Sequence, residues 1–108
     1  DQRGRPTFAS DLAKGIVHLL TERPEYGVYN LTSGGDVASR DEIAMATYIA
    51  VGHDPAEVHP TPSAEYYGDA PHADRPANSE MSLDKITATG FTPQNWRVGL
   101  ALYVALSP

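Results

Sequence analysis

The chain has 108 residues, a length that corresponds to one folded domain or to part of a larger protein. Fourteen acidic residues against eight Lys and Arg give a net charge of −6, which argues against a general affinity for nucleic acid or anionic membranes. The absence of cysteine excludes disulfides, thiolate nucleophiles and zinc–cysteine sites, and no apolar stretch approaches the roughly 20 residues of a membrane span. With no basic-then-apolar leader pattern at the N-terminus, we expect a cytoplasmic protein.

The first predicted element is an amphipathic helix. Apolar residues recur at helical spacing from Phe8 to Leu20, which predicts a helix over 8–22. Thr7 is the expected N-cap because its hydroxyl can accept from a free amide of the first turn. Pro24 forbids continuation because it lacks the amide donor.

A short strand and a second helix are predicted next. Residues 27–32 are rich in β-branched and aromatic side chains, and the glycines of 33–35 follow as a turn, which is typical of a strand end. Ser39 and Glu42 have the spacing of a capping box, in which hydroxyl and carboxylate each satisfy one amide at a helix start. The helix that begins there should end near Val51, where a glycine follows.

The second half predicts a long loop region and two further helices. Five of the nine prolines fall within 53–79, so we expect loops with one short strand at 58–59. A short helix is predicted over 83–86, and a Thr-Pro pair predicts a last helix over 93–105. Trp96 is the expected core residue of that helix. Helices that alternate with short strands indicate an α/β or α+β unit.

Several catalytic and cofactor motifs are missing. The turn at 33–35 lacks the third glycine of a dinucleotide fingerprint, and neither lysine stands in a phosphate loop. None of the six tyrosines has a lysine four positions later, so the proton-donor pair of short-chain dehydrogenases is absent. We therefore expect no catalysis from these residues alone.

The four histidines give no metal-binding pattern, because no two of them have the spacing that places two imidazoles on one metal. Asp69, His72 and Asp74 are closely grouped and could hold a hard cation through oxygen ligands. A solvated acidic loop is the commoner outcome for such a group.

Arg75 is the most informative single charge in the loop region. It precedes Pro76, which favours an extended backbone, so its guanidinium could project and grip a phosphate in bidentate fashion. The alternative is a surface salt bridge with a nearby carboxylate such as Asp74. Tyr66 and Tyr67 could line a sugar pocket or cover the loop, and both interpretations stay open.

Three segments and Trp96 together resemble one family. Residues 1–7 read Asp-Gln-x-Gly-x-Pro-Thr, 27–35 contain Gly-Val-Tyr-Asn-Leu and then Ser-Gly-Gly, and 75–81 read Arg-Pro-x-Asn-Ser-x-Met, with Trp96 beyond. In order and spacing these segments resemble the dTDP-4-dehydrorhamnose reductases, which are extended short-chain dehydrogenases/reductases. The resemblance covers essentially the whole chain.

The resemblance implies an α/β fold in which 1–108 form the C-terminal substrate-binding part of a Rossmann-type extended short-chain dehydrogenase/reductase, with about four helices and a few short strands. It implies that the N-terminal Rossmann part, absent from this sequence, binds NADPH and carries the catalytic pair. The reaction implied is reduction of dTDP-4-dehydro-L-rhamnose to dTDP-L-rhamnose for cell-surface polysaccharide, and the isolated chain should be inactive. A magnesium ion as second cofactor and a homodimer are left open.

The resemblance also implies ligand contacts. An arginine at the position of Arg75 would meet the pyrophosphate of the dTDP-sugar, and Gln2 and Asn78 lie in the motif segments nearest the cleft. Arg40 departs from the family, which usually has tryptophan there. The partners expected are the dTDP-sugar and the Rossmann portion, with no nucleic acid and no membrane. Two alternatives remain: a non-catalytic regulatory or interaction module of the same ancestry, and another nucleotide-sugar epimerase or dehydratase.

Overall fold

The computed structural model describes residues 1–108 and contains five α-helices, one 3₁₀ helix and a two-stranded sheet. The α-helices are α1 (Ala9–Glu22), α2 (Arg40–Ala50), α3 (Ser63–Tyr67), α4 (Asp84–Thr87) and α5 (Trp96–Leu106). The strands are β1 (Arg3–Gly4) and β2 (Ala38–Ser39), and the 3₁₀ helix is Pro55–Glu57. The mixture of helices with a small sheet agrees with the predicted α/β substrate-binding domain. No helix has the length and apolar character needed to span a bilayer.

The chain divides into two compact units, each built from two segments. Unit 1 contains residues 1–4 and 37–80, and unit 2 contains residues 5–36 and 81–108. The small sheet, α2, the 3₁₀ helix and α3 belong to unit 1. The other three helices belong to unit 2.

The N-terminal strand organises unit 1. β1 pairs antiparallel with β2, with Arg3 opposite Ser39 and Gly4 opposite Ala38. On its other side Arg3 forms a parallel bridge with Asn78. The first residues of the chain are therefore held between the start of α2 and the segment that follows Arg75.

The predicted capping box at the start of α2 is confirmed. Ser39 Oγ accepts from the Glu42 amide at 3.4 Å, and Glu42 Oε2 accepts from the Ser39 amide at 2.7 Å. At the other end Val51 is the C-cap, and Gly52 has φ of +80°, a conformation that glycine adopts without strain. Both boundaries agree with the sequence prediction.

The proline-rich region contains only short elements, as predicted, but the strand predicted at 58–59 is wrong. Asp54 begins the 3₁₀ helix, with its Oδ1 accepting from the Ala56 amide at 2.9 Å. The Val58 amide then donates to the Pro55 carbonyl at 3.1 Å and closes this turn. Because the local turn uses that amide, it is not available to a strand ladder.

In unit 2 the predicted helix over 8–22 is confirmed as α1, but the predicted cap is wrong. The Thr7 hydroxyl lies 2.5 Å from Thr32 Oγ1, and Phe8 is the N-cap without a side-chain hydrogen bond. The Thr7 hydroxyl therefore bonds to Thr32, which lies 25 positions away in the sequence, and does not cap the helix. Arg23 ends the helix in the left-handed conformation, with φ of +47°.

The strand predicted over 27–32 is also wrong, because this segment has no regular structure. Its contacts come from side chains: Lys85 Nζ donates to the Val28 carbonyl at 2.8 Å, and Leu31 packs against Gly15 of α1. β propensity reflects a fit to a paired, half-buried surface, and this segment has no neighbouring strand to pair with.

Helix α5 begins three residues later than predicted. The Gly34 amide donates to the Gln94 carbonyl at 2.8 Å, and the Trp96 amide donates to the Gly34 carbonyl at 3.0 Å. Asn95 then caps the helix, with its side chain accepting from the Arg97 amide at 2.9 Å. The two hydrogen bonds with Gly34 hold the start of the predicted helix in an extended conformation. Trp96 itself is fully buried, which confirms it as a core residue.

Candidate functional site

Unit 1 contains a cavity of about 500 Å³, within the size range of small-molecule sites. Four parts of the unit line it: the N-terminal segment, the start of α2, residues 58–67, and Arg75. Ala44 and Val58 supply apolar surface, and most of the remaining lining is polar, charged or aromatic.

The N-terminal segment fixes one side of this cavity by capping α3. The Asp1 carboxylate accepts from the Ser63 amide at 3.1 Å and from Ser63 Oγ at 2.5 Å. Gln2 Nε2 donates to Ser63 Oγ at 3.2 Å. The residue before the helix is Pro62, which provides no side-chain cap, so Asp1 supplies the missing acceptor from a distant part of the sequence. Gln2 and the first turn of α3 therefore share one hydrogen-bonded cluster.

Helix α3 forms an aromatic wall. Tyr66 and Tyr67 both line the cavity, and their rings meet edge to face with centroids 5.1 Å apart. Tyr67 also stacks on His72, with centroids 4.0 Å apart and planes only 4° from parallel. Tyr66 is 74% exposed, so its ring is accessible to a ligand. Both tyrosines line the cavity, and Tyr67 also covers the loop through its stacking on His72.

Two guanidinium groups line the same cavity. Arg40 is the first residue of α2, and Arg75 lies in the loop segment after α3. The salt bridge considered for Arg75 is not formed, and Arg40 has no carboxylate partner either. This differs from Arg97, which binds Asp36 at 2.8 Å. Two exposed guanidinium groups without a protein counter-ion are suited to an anionic ligand, because arginine presents several donors in a rigid fork.

The cavity also has an acidic side. Asp41 lines it next to Arg40, and a hydrogen bond with the Ser39 side chain is the main cause that lowers the pKa of Asp41. This carboxylate is thus ionised at neutral pH and can accept hydrogen bonds from hydroxyl groups. His59 and Thr61 add further polar groups to the lining. The arrangement can bind a molecule that combines an anionic group, hydroxyl groups and a ring.

The predicted site residues are not all in the same place. Gln2 and Arg75 both line the cavity, although 73 positions separate them in the sequence. Asn78 lies outside the lining: its backbone bridges to Arg3, and its Oδ1 accepts from the Glu80 amide at 2.9 Å. Arg40 was not predicted as a site residue. Its only sequence signal is that it stands where the family resemblance leads one to expect tryptophan.

The cation site considered for the acidic loop is not formed. Asp69, His72 and Asp74 do not combine into a group that could hold a metal ion. The glycine turn after residue 32 packs against the chain: a Cβ added at Gly34 would lie 2.6 Å from the Pro93 carbonyl oxygen. The protein backbone, and not open space, faces that glycine. This turn therefore offers no open approach to a dinucleotide pyrophosphate.

Comparison with known proteins gives the family of this chain. Residues 1–107 match the sequence model of the RmlD substrate binding domain. The chain belongs to this family, as its resemblance to dTDP-4-dehydrorhamnose reductases predicted.

Individual relatives extend this result. A dTDP-4-dehydrorhamnose reductase of Mycolicibacterium smegmatis is 36% identical over 106 residues, which cover 97% of this chain and 31% of that protein. A probable dTDP-4,6-dihydroxy-2-methyloxan-3-one 4-ketoreductase of Streptomyces antibioticus is 34% identical, with 93% and 33% covered. The spore coat polysaccharide biosynthesis protein SpsK of Bacillus subtilis is 34% identical, with 96% and 34% covered. The chain thus spans about a third of the length of these relatives.

Proposed function

We propose that residues 1–108 form the substrate-binding part of a dTDP-4-dehydrorhamnose reductase, which reduces dTDP-4-dehydro-L-rhamnose to dTDP-L-rhamnose with NADPH for cell-surface polysaccharide. The observation that carries this proposal is the cavity of unit 1, where two arginines without a protein counter-ion face the same space as two tyrosines. The family, and the reductases named among the relatives, support the choice of a dTDP-sugar as ligand.

The proposal gives individual residues distinct tasks. Arg75 binds the diphosphate, because a guanidinium can donate two parallel hydrogen bonds to phosphate oxygens. Gln2 donates or accepts through its amide, and its bond to Ser63 orients it within the lining. Asn78 acts indirectly: its bridge to Arg3 ties the segment that carries Arg75 to the segment that carries Gln2.

NADPH is assigned to a Rossmann portion outside residues 1–108, because the glycine turn of this chain is closed by its own backbone. Hydride and proton transfer are likewise assigned outside these residues. The chain by itself should bind the substrate side only. Magnesium is not assigned to residues 1–108, because they offer no cluster for it.

The proposal is tested by Arg75→Gln in the full-length protein. Loss of a charged hydrogen bond costs about 1.5–3 kcal/mol, so the KM for the dTDP-sugar should rise about 10- to 100-fold. The KM for NADPH should stay unchanged, because that site lies elsewhere. Arg23→Gln, which removes an arginine of unit 2 that is outside the cavity lining, is the matched control. Equal constants for Arg75→Gln and the unchanged protein would contradict the assignment.

A second candidate is a reductase of another dTDP-4-keto sugar, which the name of the Streptomyces antibioticus relative favours. Parallel turnover of several dTDP-4-keto sugars by the full-length protein distinguishes the two. A non-catalytic module would turn over none of these sugars. An epimerase or dehydratase would form product without net oxidation of NADPH.

A further inference from the structure

We propose that Arg40 is a second diphosphate-binding residue, so that the ligand is held between two arginines in unit 1. This inference rests on the proposed function and deepens it, because it assigns a specificity-determining contact to a position where the family resemblance leads one to expect tryptophan. The observation that carries it is that Arg40 and Arg75 line one cavity from separate parts of the unit.

The backbone at Arg40 is held in place from two sides. Ser39, the preceding residue, is 8% exposed, pairs with Arg3 in the sheet and closes the capping box with Glu42. Arg40 is the first residue of the helix that follows. Its side chain therefore starts from a fixed point beside the cavity, which reduces the ordering cost of binding.

The charge of Arg40 is not neutralised by the protein. It has no salt bridge, whereas Arg3, in the paired strand, lies 3.6 Å from Glu42. Asp1 is engaged by Ser63. Neither Asp1 nor Asp41, which also line the cavity, forms a salt bridge with Arg40, so its donors remain for a ligand.

A diphosphate matches this arrangement better than a single phosphate does. It carries charge on two phosphoryl groups, and each guanidinium can grip oxygens in bidentate fashion. A tryptophan at position 40 would offer one indole N–H donor and no charge. We therefore expect the preference for diphosphate over monophosphate nucleotides to depend on Arg40.

The experiment is calorimetric titration of the full-length protein with dTDP and with dTMP. Arg40→Gln should weaken dTDP binding about 10- to 100-fold and dTMP binding much less, so that the preference for dTDP falls. Arg40→Lys should recover part of the affinity, because it restores the charge without the planar fork. Arg40→Trp should resemble Arg40→Gln, and Arg23→Gln should leave both affinities unchanged.

Equal weakening of dTDP and dTMP by Arg40→Gln would show a general effect on the pocket and would overturn the assignment. Unchanged dTDP binding in Arg40→Gln, with weakened binding in Arg75→Gln, would overturn the role of Arg40 and leave the proposed function intact. Failure of the unchanged protein to bind dTDP would overturn both.

Discussion

The indole of Trp96 joins the start of α5 to the turn that precedes β2 in sequence. The side chain is fully buried, and its Nε1 donates to the Asp36 carbonyl at 2.9 Å. Arg97 lies over the indole ring at 4.4 Å and binds the Asp36 carboxylate. One large side chain thus combines apolar burial with a hydrogen bond to a distant turn.

Trp96→Ala should destabilise the protein by about 3–5 kcal/mol, because it leaves a large cavity and an unpaired carbonyl. Urea unfolding of the full-length protein measures this change. Tyr26→Ala is the control: Tyr26 is fully exposed, and its change should stay within about 0.5 kcal/mol. A loss for Trp96→Ala no larger than that of the control would contradict the role of the indole.

Single-residue predictions succeeded where the signal is local. The burial of Trp96 follows from its helical spacing with other apolar residues, and the Ser39 capping box follows from a four-residue motif. The cap predicted at Thr7 failed because its hydroxyl meets Thr32. The spacing of neighbouring residues cannot predict a hydrogen bond to a residue 25 positions away.

At the level of elements, α2 has the best-defined start in unit 1, and its stability should depend on pH. The backbone hydrogen bond from Ser39 is the main cause that lowers the pKa of Glu42 below its ordinary value of 4.5, and the Ser39 side chain lowers it further. A carboxylate with a lowered folded pKa stabilises the fold above its unfolded pKa. This contribution is lost as the pH falls through the folded value.

Glu42→Gln should therefore reduce the free energy of unfolding at neutral pH, and the difference from the unchanged protein should shrink as the pH falls below about 4.5. Glutamine can still take the capping-box position, so the variant removes the titration more than the hydrogen bonds. Urea unfolding across this pH range is the measurement, with the exposed Glu57→Gln as control. A difference that stays constant with pH would show that Glu42 does not contribute through its charge.

Element predictions failed where tertiary pairing decides the outcome. The composition of residues 27–32 is typical of a strand, yet the unit offers them no neighbouring strand. The start of α5 moved to Trp96 because the backbone of residues 94–96 bonds to Gly34. Helix α3 was not predicted, since its cap is Asp1, 62 positions away.

Unit 2 leaves large apolar side chains exposed on two helices. On α1 they include Leu12, Ile16 and Leu20, spaced four residues apart, and α5 exposes Val98, Leu102 and Leu106 with the same spacing. Such rows mark surfaces that other protein covers. The chain spans about a third of the length of its relatives, and under the proposed function the Rossmann portion is the expected cover.

The 108-residue chain expressed alone should accordingly self-associate, and sedimentation velocity over a range of concentrations measures this. The double change Leu20→Glu and Leu102→Glu should reduce the association, because it places charge within both rows. Thr21→Glu, at an exposed polar position of α1, is the control. A monomer at every concentration would contradict the expectation.

The family could be predicted from the sequence because its motifs keep their order along the chain. The composition of the pocket could not, since its lining comes from positions between 1 and 75 that only the fold brings together. Gln2 and Arg75 were predicted through motifs, whereas Arg40 and Asp41 belong to the pocket through the placement of α2.

The most direct test of the proposed function is a crystal structure of the full-length protein with dTDP. We expect diphosphate oxygens within about 3.2 Å of the Arg75 guanidinium, inside the cavity that Gln2 and Tyr66 also line. A diphosphate bound elsewhere, with this cavity unchanged, would contradict the proposed function.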